Sequence, residues 1–243
     1  MKQIIVIPAR MKGTRLPGKP LIEINGKAII YHVWDRCRQI HPENNIYIAT
    51  EDEEIKTYCA NNGINCVNTG TANTAIDRIK LFSDTIIADA YINIQGDEPI
   101  ANLNDIQTIL NYNRKYPDRV VFGKTSCSET EFDDYSKAKV VCNPEGRLLY
   151  SSRAGIPVNN KGKFVSAERA IWLYAFSKYA LDQYYLSAQL TTLDKVEDNE
   201  IIRFLEIDLP VYCVNVIGDS WSVDEPKDLE IVKQKMDKQN INP

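Results

Sequence analysis

Histidine is nearly absent from this chain of 243 residues, which carries only His32 and His41. A Ser-His-Asp triad or a multi-histidine metal centre is therefore not expected. Both histidines fall in or beside a stretch of helical spacing, where packing or surface roles account for them. The six cysteines (Cys37, Cys59, Cys66, Cys127, Cys142, Cys213) are scattered and form no CxxC pair. They read as reduced, mostly packed thiols, which argues against a disulfide framework or a zinc site. No run approaches the roughly 20 apolar residues that span a bilayer. The stretch Met1–Ile7 is too short, and too soon interrupted by Pro8, to read as a signal peptide. The cytoplasm is the expected compartment. Charge of one sign is lacking too: 29 Lys+Arg stand against 33 Asp+Glu, a net charge of −4 with a pI near 5.4. A nucleic-acid polymer needs a basic footprint, so the balance argues against one as a partner. A small anionic ligand responds to local charge and stays possible. The 44% apolar and 26% charged content is that of an ordinary globular protein. The length suits a single domain, 1–243, with room for a smaller lobe.

Hydrophobic periodicity supplies the fold class. Gln3 to Ile7 is a β-branched run stopped by Pro8, as in a buried strand. Helical spacing over Ala28 to Ile40, a strand at Asn45 to Ala49, a helix over Asp52 to Asn62 closed by Gly63, and a short strand at Asn65 to Val67 follow. The alternation continues with a helix over Thr74 to Ala88, a strand at Tyr91 to Ile94, a helix over Leu103 to Tyr116 and a strand at Val120 to Thr125. Strands and helices at this pitch indicate an α/β fold, Rossmann-like, with a mostly parallel sheet covered by helices on both faces. The pattern then changes. Lys137 to Cys142, the turn Asn143-Pro144-Glu145-Gly146 and Arg147 to Tyr150 read as a β-hairpin. Ala170 to Phe176 reads as a strand, Lys178 to Ala188 and Val196 to Leu205 as helices, Val211 to Val216 as a late strand and Glu225 to Lys238 as a closing helix. Residues from approximately 130 to 210 are expected to form a smaller lobe or a dimerisation arm grafted on the main sheet.

The loop after the first strand carries the most information. Arg10, Lys12, Arg15 and Lys19 fall within ten residues, with no acid before Glu23. Like charges so close repel unless an anion sits among them. The glycines let the backbone turn and approach a ligand. Open α/β sheets bind ligands at this carboxyl edge, and arginine forks with exposed N–H groups suit a phosphate chain. Gly13 to Lys19 also spells GxxxxGK, the body of a P-loop. The next residue must then offer a hydroxyl to magnesium; Pro20 has neither a hydroxyl nor an N–H, so the P-loop reading is rejected. Two acids complete the pattern. Asp97 follows a strand in Asn93-Ile94-Gln95-Gly96-Asp97-Glu98-Pro99, and Asp224 precedes the last helix in Val223-Asp224-Glu225-Pro226. Magnesium takes one or two carboxylates together with substrate phosphates and waters. Both acids are suitable if the sheet brings their loops to one edge. Taken alone, Asp224 also reads as a helix N-cap ahead of Pro226. Glu98 is a weaker candidate, and Asp228 is expected on the helix surface.

The segments Ile7-Pro8-Ala9-Arg10 and Thr14-Arg15-Leu16-Pro17-Gly18-Lys19-Pro20-Leu21 resemble the signature of the 3-deoxy-manno-octulosonate cytidylyltransferase family, and further matches run through most of the chain, near residues 95, 153, 200 and 224. The resemblance implies transfer of CMP from CTP to the hydroxyl of an acidic sugar, with pyrophosphate released, for a bacterial surface polysaccharide such as lipopolysaccharide or capsule. It implies magnesium held by Asp97 and Asp224, and a homodimer. Arg15 and Lys19 are assigned to the triphosphate with Arg10 beside them, and Asp97 joins them in catalysis. Arg153, in Ser152-Arg153-Ala154-Gly155-Ile156-Pro157, resembles the arginine that meets the sugar carboxylate. Thr74, Arg78, Gln95, Tyr174 and Glu200 match further substrate-binding positions. Glu200 with Arg203 also reads as an ordinary i,i+3 pair on a helix.

Two segments depart from the family. Its His-x-Ser-Gly-Thr-Glu-Arg appears here as Ala72-Asn73-Thr74-Ala75-Ile76-Asp77-Arg78, and its His-Leu-Gly-Ile-Tyr-Gly-Tyr as Ala170-Ile171-Trp172-Leu173-Tyr174-Ala175-Phe176. Two histidines are lost, Trp172 adds bulk where glycine stood, and Arg169 next door offers a substitute charge. Lost polar pairs change discrimination, so an amino sugar, a truncated acidic sugar or another small acid is the expected acceptor. The alternatives are a cytidylyltransferase for a phosphonate or phosphorylated acid, and a non-catalytic nucleotide-binding protein. Retention of Asp97, Asp224 and Lys19 disfavours the second.

Overall fold

The computed structural model describes residues 1–13 and 15–238. The first strand, β1 (Gln3–Pro8), alternates its side chains between two cores. Ile5 and Ile7 face one cluster and Ile4 and Val6 the other, all fully buried. Each such side chain contributes about 1.5–3 kcal/mol by leaving water, and a one-residue slip would reverse both faces. A two-residue hairpin, β2 (Glu23–Ile24) with β3 (Lys27–Ala28), leads into α1 (Ile29–Arg38). Then come β4 (Ile46–Thr50), α2 (Glu53–Asn61), β5 (Cys66–Asn68), α3 (Ala75–Thr85), β6 (Ala90–Asn93), α4 (Leu103–Lys115) and β7 (Val120–Cys127). Gly63, at φ 69°, ends α2 in the left-handed conformation that glycine adopts without strain. Ile30 of α1 and the isoleucines of α2 and α4 pack on the face of Ile5 and Ile7, and those of α3 on the opposite face.

After β7 come α5 (Glu129–Phe132), the hairpin β8 (Lys139–Cys142) and β9 (Leu148–Ser152), β10 (Ala167–Phe176), α6 (Lys178–Leu186), α7 (Leu193–Val196), α8 (Ile202–Glu206), β11 (Val211–Asn215) and α9 (Pro226–Lys238). The sheet order is β11-β7-β10-β6-β1-β4-β5. β1 pairs in parallel with β4 and β6, β4 with β5, and β11 with β7. β10 runs antiparallel to both β6 and β7, and the β8–β9 hairpin hangs from it through Arg169–Lys139 and Glu168–Val140. Residues 130–210 thus contain a strand of the main sheet as well as the hairpin and short helices. The chain leaves β1 towards β4 on one side and returns to β6 on the other. That reversal opens a crevice at the carboxyl ends of the strands.

The helix expected over Val196 to Leu205 is instead two short ones, α7 and α8, separated by Asp198 at φ 47°. Arg153 donates to the carbonyls of Glu197 and Asp198, the acceptors a continuous helix would have used. All six cysteines are unpaired. Among the described residues no helix is long and apolar enough to cross a membrane.

Candidate active site

The basic loop is pinned at both ends. Ala9 N–H donates to Ala49 O at 2.9 Å, Met11 N–H to the Asp52 carboxylate at 2.8 Å, and Gly18 N–H to Met11 O at 2.9 Å. Gly18, at φ 70°, turns the chain into a 3-10 turn beginning at Lys19. Across the crevice, Gly96 lies against β1, where a Cβ would stand 2.5 Å from Pro8 O. A glycine is required for that approach. Val223 N–H donates to Asp97 O at 2.9 Å, joining the two acid-bearing loops.

The two acids converge on one ammonium. Lys19 Nζ lies 2.6 Å from Asp97 Oδ2 and 3.4 Å from Asp224 Oδ1, and Arg15 Nη2 lies 3.0 Å from the same Asp224 oxygen. Asp224 does not cap the last helix. Asp228 does, accepting the N–H groups of Asp224 and Glu225 at 2.9 and 2.8 Å. Asp228 is accordingly buried, not on the helix surface as expected, and the Asp224 carboxylate is left to face Lys19. Two carboxylates that share a cation, with no cluster of three or more potential ligands among the described residues, fit a magnesium ion whose remaining ligands are phosphate oxygens and water. Glu98 is also buried; burial, with Asp97 beside it, pushes its carboxyl up to about 7.

Two cavities meet here. The first, of about 720 Å³, is lined by Arg10, Lys12, Arg15 and Lys19 at one end and by the start of α3 at the other. The second, of about 890 Å³, is lined by Arg153, Arg169, Trp172 and Tyr174. Asp97, Asp224, Gln95 and Glu200 border both. A molecule in each cavity would meet at the two acids. Arg10 makes no hydrogen bond among the described residues, and Gln95 reaches Trp172 O only at 3.5 Å. Thr14 lies outside the described residues.

Several side chains named from the sequence have their polar groups engaged with the protein. Thr74 caps α3 by accepting the Asp77 N–H at 3.1 Å. Glu200, half-buried, accepts from Ile76 N–H at 3.1 Å and Ala75 N–H at 3.4 Å at the same helix end; desolvation nonetheless pushes its carboxyl up. Arg203 does not pair with it. The guanidinium binds Asp194 at 2.9 and 2.7 Å and lies over the Tyr184 ring at 4.0 Å, which corrects the i,i+3 reading. Arg78 is buried, bracing Thr69 Oγ1, Gly70 O and Glu51. Tyr174 stacks on Phe122 at 4.9 Å within the core, with only its edge of the cavity to offer. Arg153 is engaged with backbone carbonyls of 135–136 and 197–198, so it presents no free fork to a carboxylate. Glu131 and Lys137, on the wall of the second cavity, carry no sequence signal beyond the capping pattern at Ser128–Glu131.

A basic loop, two acids at the junction of two cavities and a mostly parallel sheet with a switch point define a nucleotidyltransferase-type site. A family profile described as "Cytidylyltransferase" matches residues 4–216. The chain is 32% identical to a 3-deoxy-manno-octulosonate cytidylyltransferase of Koribacter versatilis over 99% of this chain and 92% of that one. It is also 32% identical to an 8-amino-3,8-dideoxy-manno-octulosonate cytidylyltransferase of Shewanella oneidensis, over 97% and 99% of the two chains. Among solved structures, a CMP:2-keto-3-deoxy-manno-octonic acid synthetase complexed with CTP superposes with a TM-score of 0.92 at 30% identity, covering 98% of this chain and all of that one. The chain belongs to the cytidylyltransferase family and is an enzyme of that class.

Proposed function

We propose that this cytidylyltransferase transfers CMP from CTP to a hydroxyl of 3-deoxy-manno-octulosonate or a related acidic sugar, for bacterial surface polysaccharide synthesis in the cytoplasm. The carrying observation is the meeting of Asp97 and Asp224 on Lys19 where the two cavities join. CTP fits the cavity of the basic loop and the acceptor fits the second. The acceptor hydroxyl gives up its proton to solvent as its oxygen forms a bond to the α-phosphorus and the bond from that phosphorus to pyrophosphate breaks. Arg10, Arg15 and Lys19 meet the triphosphate and oppose the charge that grows on the leaving group. Asp97 and Asp224 would hold magnesium, which when bound supplies Lewis-acid stabilisation of phosphate oxygens. Lys19 then turns from the acids to the phosphates. Loss of polar side chains at Ala72 and Ala170, with Trp172 on the cavity wall, favours a related acid over the parent sugar. A homodimer is supported by exposed Leu186, Leu190, Leu193 and Val196 around α6 and α7, an apolar surface suited to a second copy.

The test is pyrophosphate release with magnesium, each of four nucleoside triphosphates, and a panel of acidic sugars and phosphonates. No release with CTP and any acceptor defeats the reading. Ordinary efficiency with 3-deoxy-manno-octulosonate, and no better acceptor, restores the parent sugar. Asp97→Asn and Asp224→Asn are expected to abolish turnover with the fold intact; activity in both would move the metal elsewhere.

A further inference from the structure

The cations of the second cavity are unequally available. Arg153 is fully engaged: Nε donates to Glu197 O at 3.1 Å and Asp198 O at 3.2 Å, Nη1 to Tyr135 O at 3.1 Å and Ser136 O at 3.4 Å, and Nη2 to Asp198 O at 2.7 Å. Lys139, buried and outside the cavity lining, acts alike, donating to Asp134 O at 3.0 Å and Lys137 O at 2.7 Å. Both cations hold backbone in place. Arg15 is paired with Asp224, and Lys235 sits over the Trp221 ring at 5.0 Å.

Arg169 differs. It projects from β10, and Nη2 donates to Gly218 O at 2.9 Å. Nε lies 3.0 Å from Glu131 Oε1 as an ion pair, without the alignment of a hydrogen bond. Nη1 has no hydrogen-bond partner among the described residues. Lys137 Nζ donates to the same Glu131 oxygen at 2.7 Å. One carboxylate thus holds two cations side by side on the cavity wall, with a net charge of +1. The arrangement is built. Glu131 Oε2 accepts from Ser128 N–H and Oγ, each at 3.0 Å. Gly218, which anchors Arg169, is itself fixed through its N–H to the buried Asp105 carboxylate at 2.8 Å. Elsewhere the cavity shows Glu98, Asp219 and Asp228, which would repel an anion.

We propose that Arg169, with Lys137 beside it, seats the acceptor's carboxylate in the second cavity, and that Arg153 is a staple between two loops. This rests on the acidic acceptor of the proposed function and names the group that reads the acid. A carboxylate requires donors not already engaged, and a guanidinium offers them in a planar fork. Glu131 keeps the two cations from repelling each other and aims them at one place. The single excess charge matches a single carboxylate.

The experiment pairs a change in the protein with a change in the acceptor. The value of kcat/KM is measured for an acidic acceptor and for its carboxamide, at saturating CTP. The wild-type protein is expected to prefer the acid by about 10- to 100-fold, as for a charge-assisted contact. Arg169→Ala collapses that preference towards one and leaves the KM for CTP within about twofold; Arg169→Lys, which keeps charge without the fork, retains part of it. Lys137→Met narrows it less. Arg153→Ala lowers thermal stability and keeps the preference. Retention of the preference in Arg169→Ala, or its loss in a folded Arg153→Ala, overturns the assignment while leaving the proposed function standing. Wild-type turnover with no acid at all overturns both.

Discussion

Glu131→Gln removes the carboxylate that joins Lys137 and Arg169 while preserving its size and its ability to cap α5. Burial alone would push the Glu131 carboxyl up. Hydrogen bonds from Lys137 and Ser128 and the charge of Arg169 overcome that, and hold it at about 2 against an ordinary 4.5. At about 1.4 kcal/mol per pH unit, that gap sets a ceiling of about 3 kcal/mol. The side chain is 20% exposed, and solvent screening brings the expected contribution to about 1–2 kcal/mol. The sign follows from linkage. A carboxyl whose folded value is depressed binds fewer protons folded than unfolded, so its stabilisation is complete above pH 4.5 and is lost as the pH falls towards 2. Urea unfolding of wild type and Glu131→Gln at pH 7, 5, 4 and 3 reads this directly. The variant is expected to be less stable by about 1–2 kcal/mol at pH 7 and 5, with the difference narrowing at pH 4 and 3. A difference that is flat across the range, or that widens on acidification, refutes the ion-pair reasoning.

Other expectations follow from the same contacts. Arg203→Met strands the buried Asp194 and Asp77 carboxylates beside it and is expected to cost about 3–5 kcal/mol in urea unfolding. Gly96→Ala puts a Cβ 2.5 Å from Pro8 O, where backbone must move; a loss of about 2 kcal/mol or more is expected, together with reduced turnover. Lys19→Met is expected to lower kcat/KM for CTP by about 100-fold or more while the protein stays folded by circular dichroism. Stripping divalent cations with a chelator is expected to stop pyrophosphate release, and added magnesium to restore it.

Local pattern made much of this molecule legible. β1 is visible as a β-branched run ended by Pro8, and its alternation fills both cores. The basic loop is visible because four cations lie within ten residues. What was hidden depends on partners far along the chain. β10 reads as a strand, yet its antiparallel direction is set by the path between β7 and β6. The break at Asp198 is made with Arg153, 45 residues away. Asp97 and Asp224 lie 78 and 205 residues from the Lys19 that joins them, so their convergence came from resemblance and not from spacing.

The acceptor side shows the same division in its sharpest form. Residue type tells which side chains can bind a carboxylate, and Arg153 and Arg169 are equal by that measure. Availability is a competition, and every competitor is remote. The carbonyls of Tyr135, Ser136, Glu197 and Asp198 engage Arg153 completely, while Arg169 keeps one nitrogen without a partner among the described residues because Gly218 and Glu131 occupy the others. A guanidinium already held by carbonyls must break those bonds before it can read a substrate, and each broken bond leaves a polar group to be resolvated or stranded. An arginine with an unengaged donor has no such barrier. Aligned residue type alone therefore does not decide between the two arginines; the acid preference of Arg153→Ala against that of Arg169→Ala does.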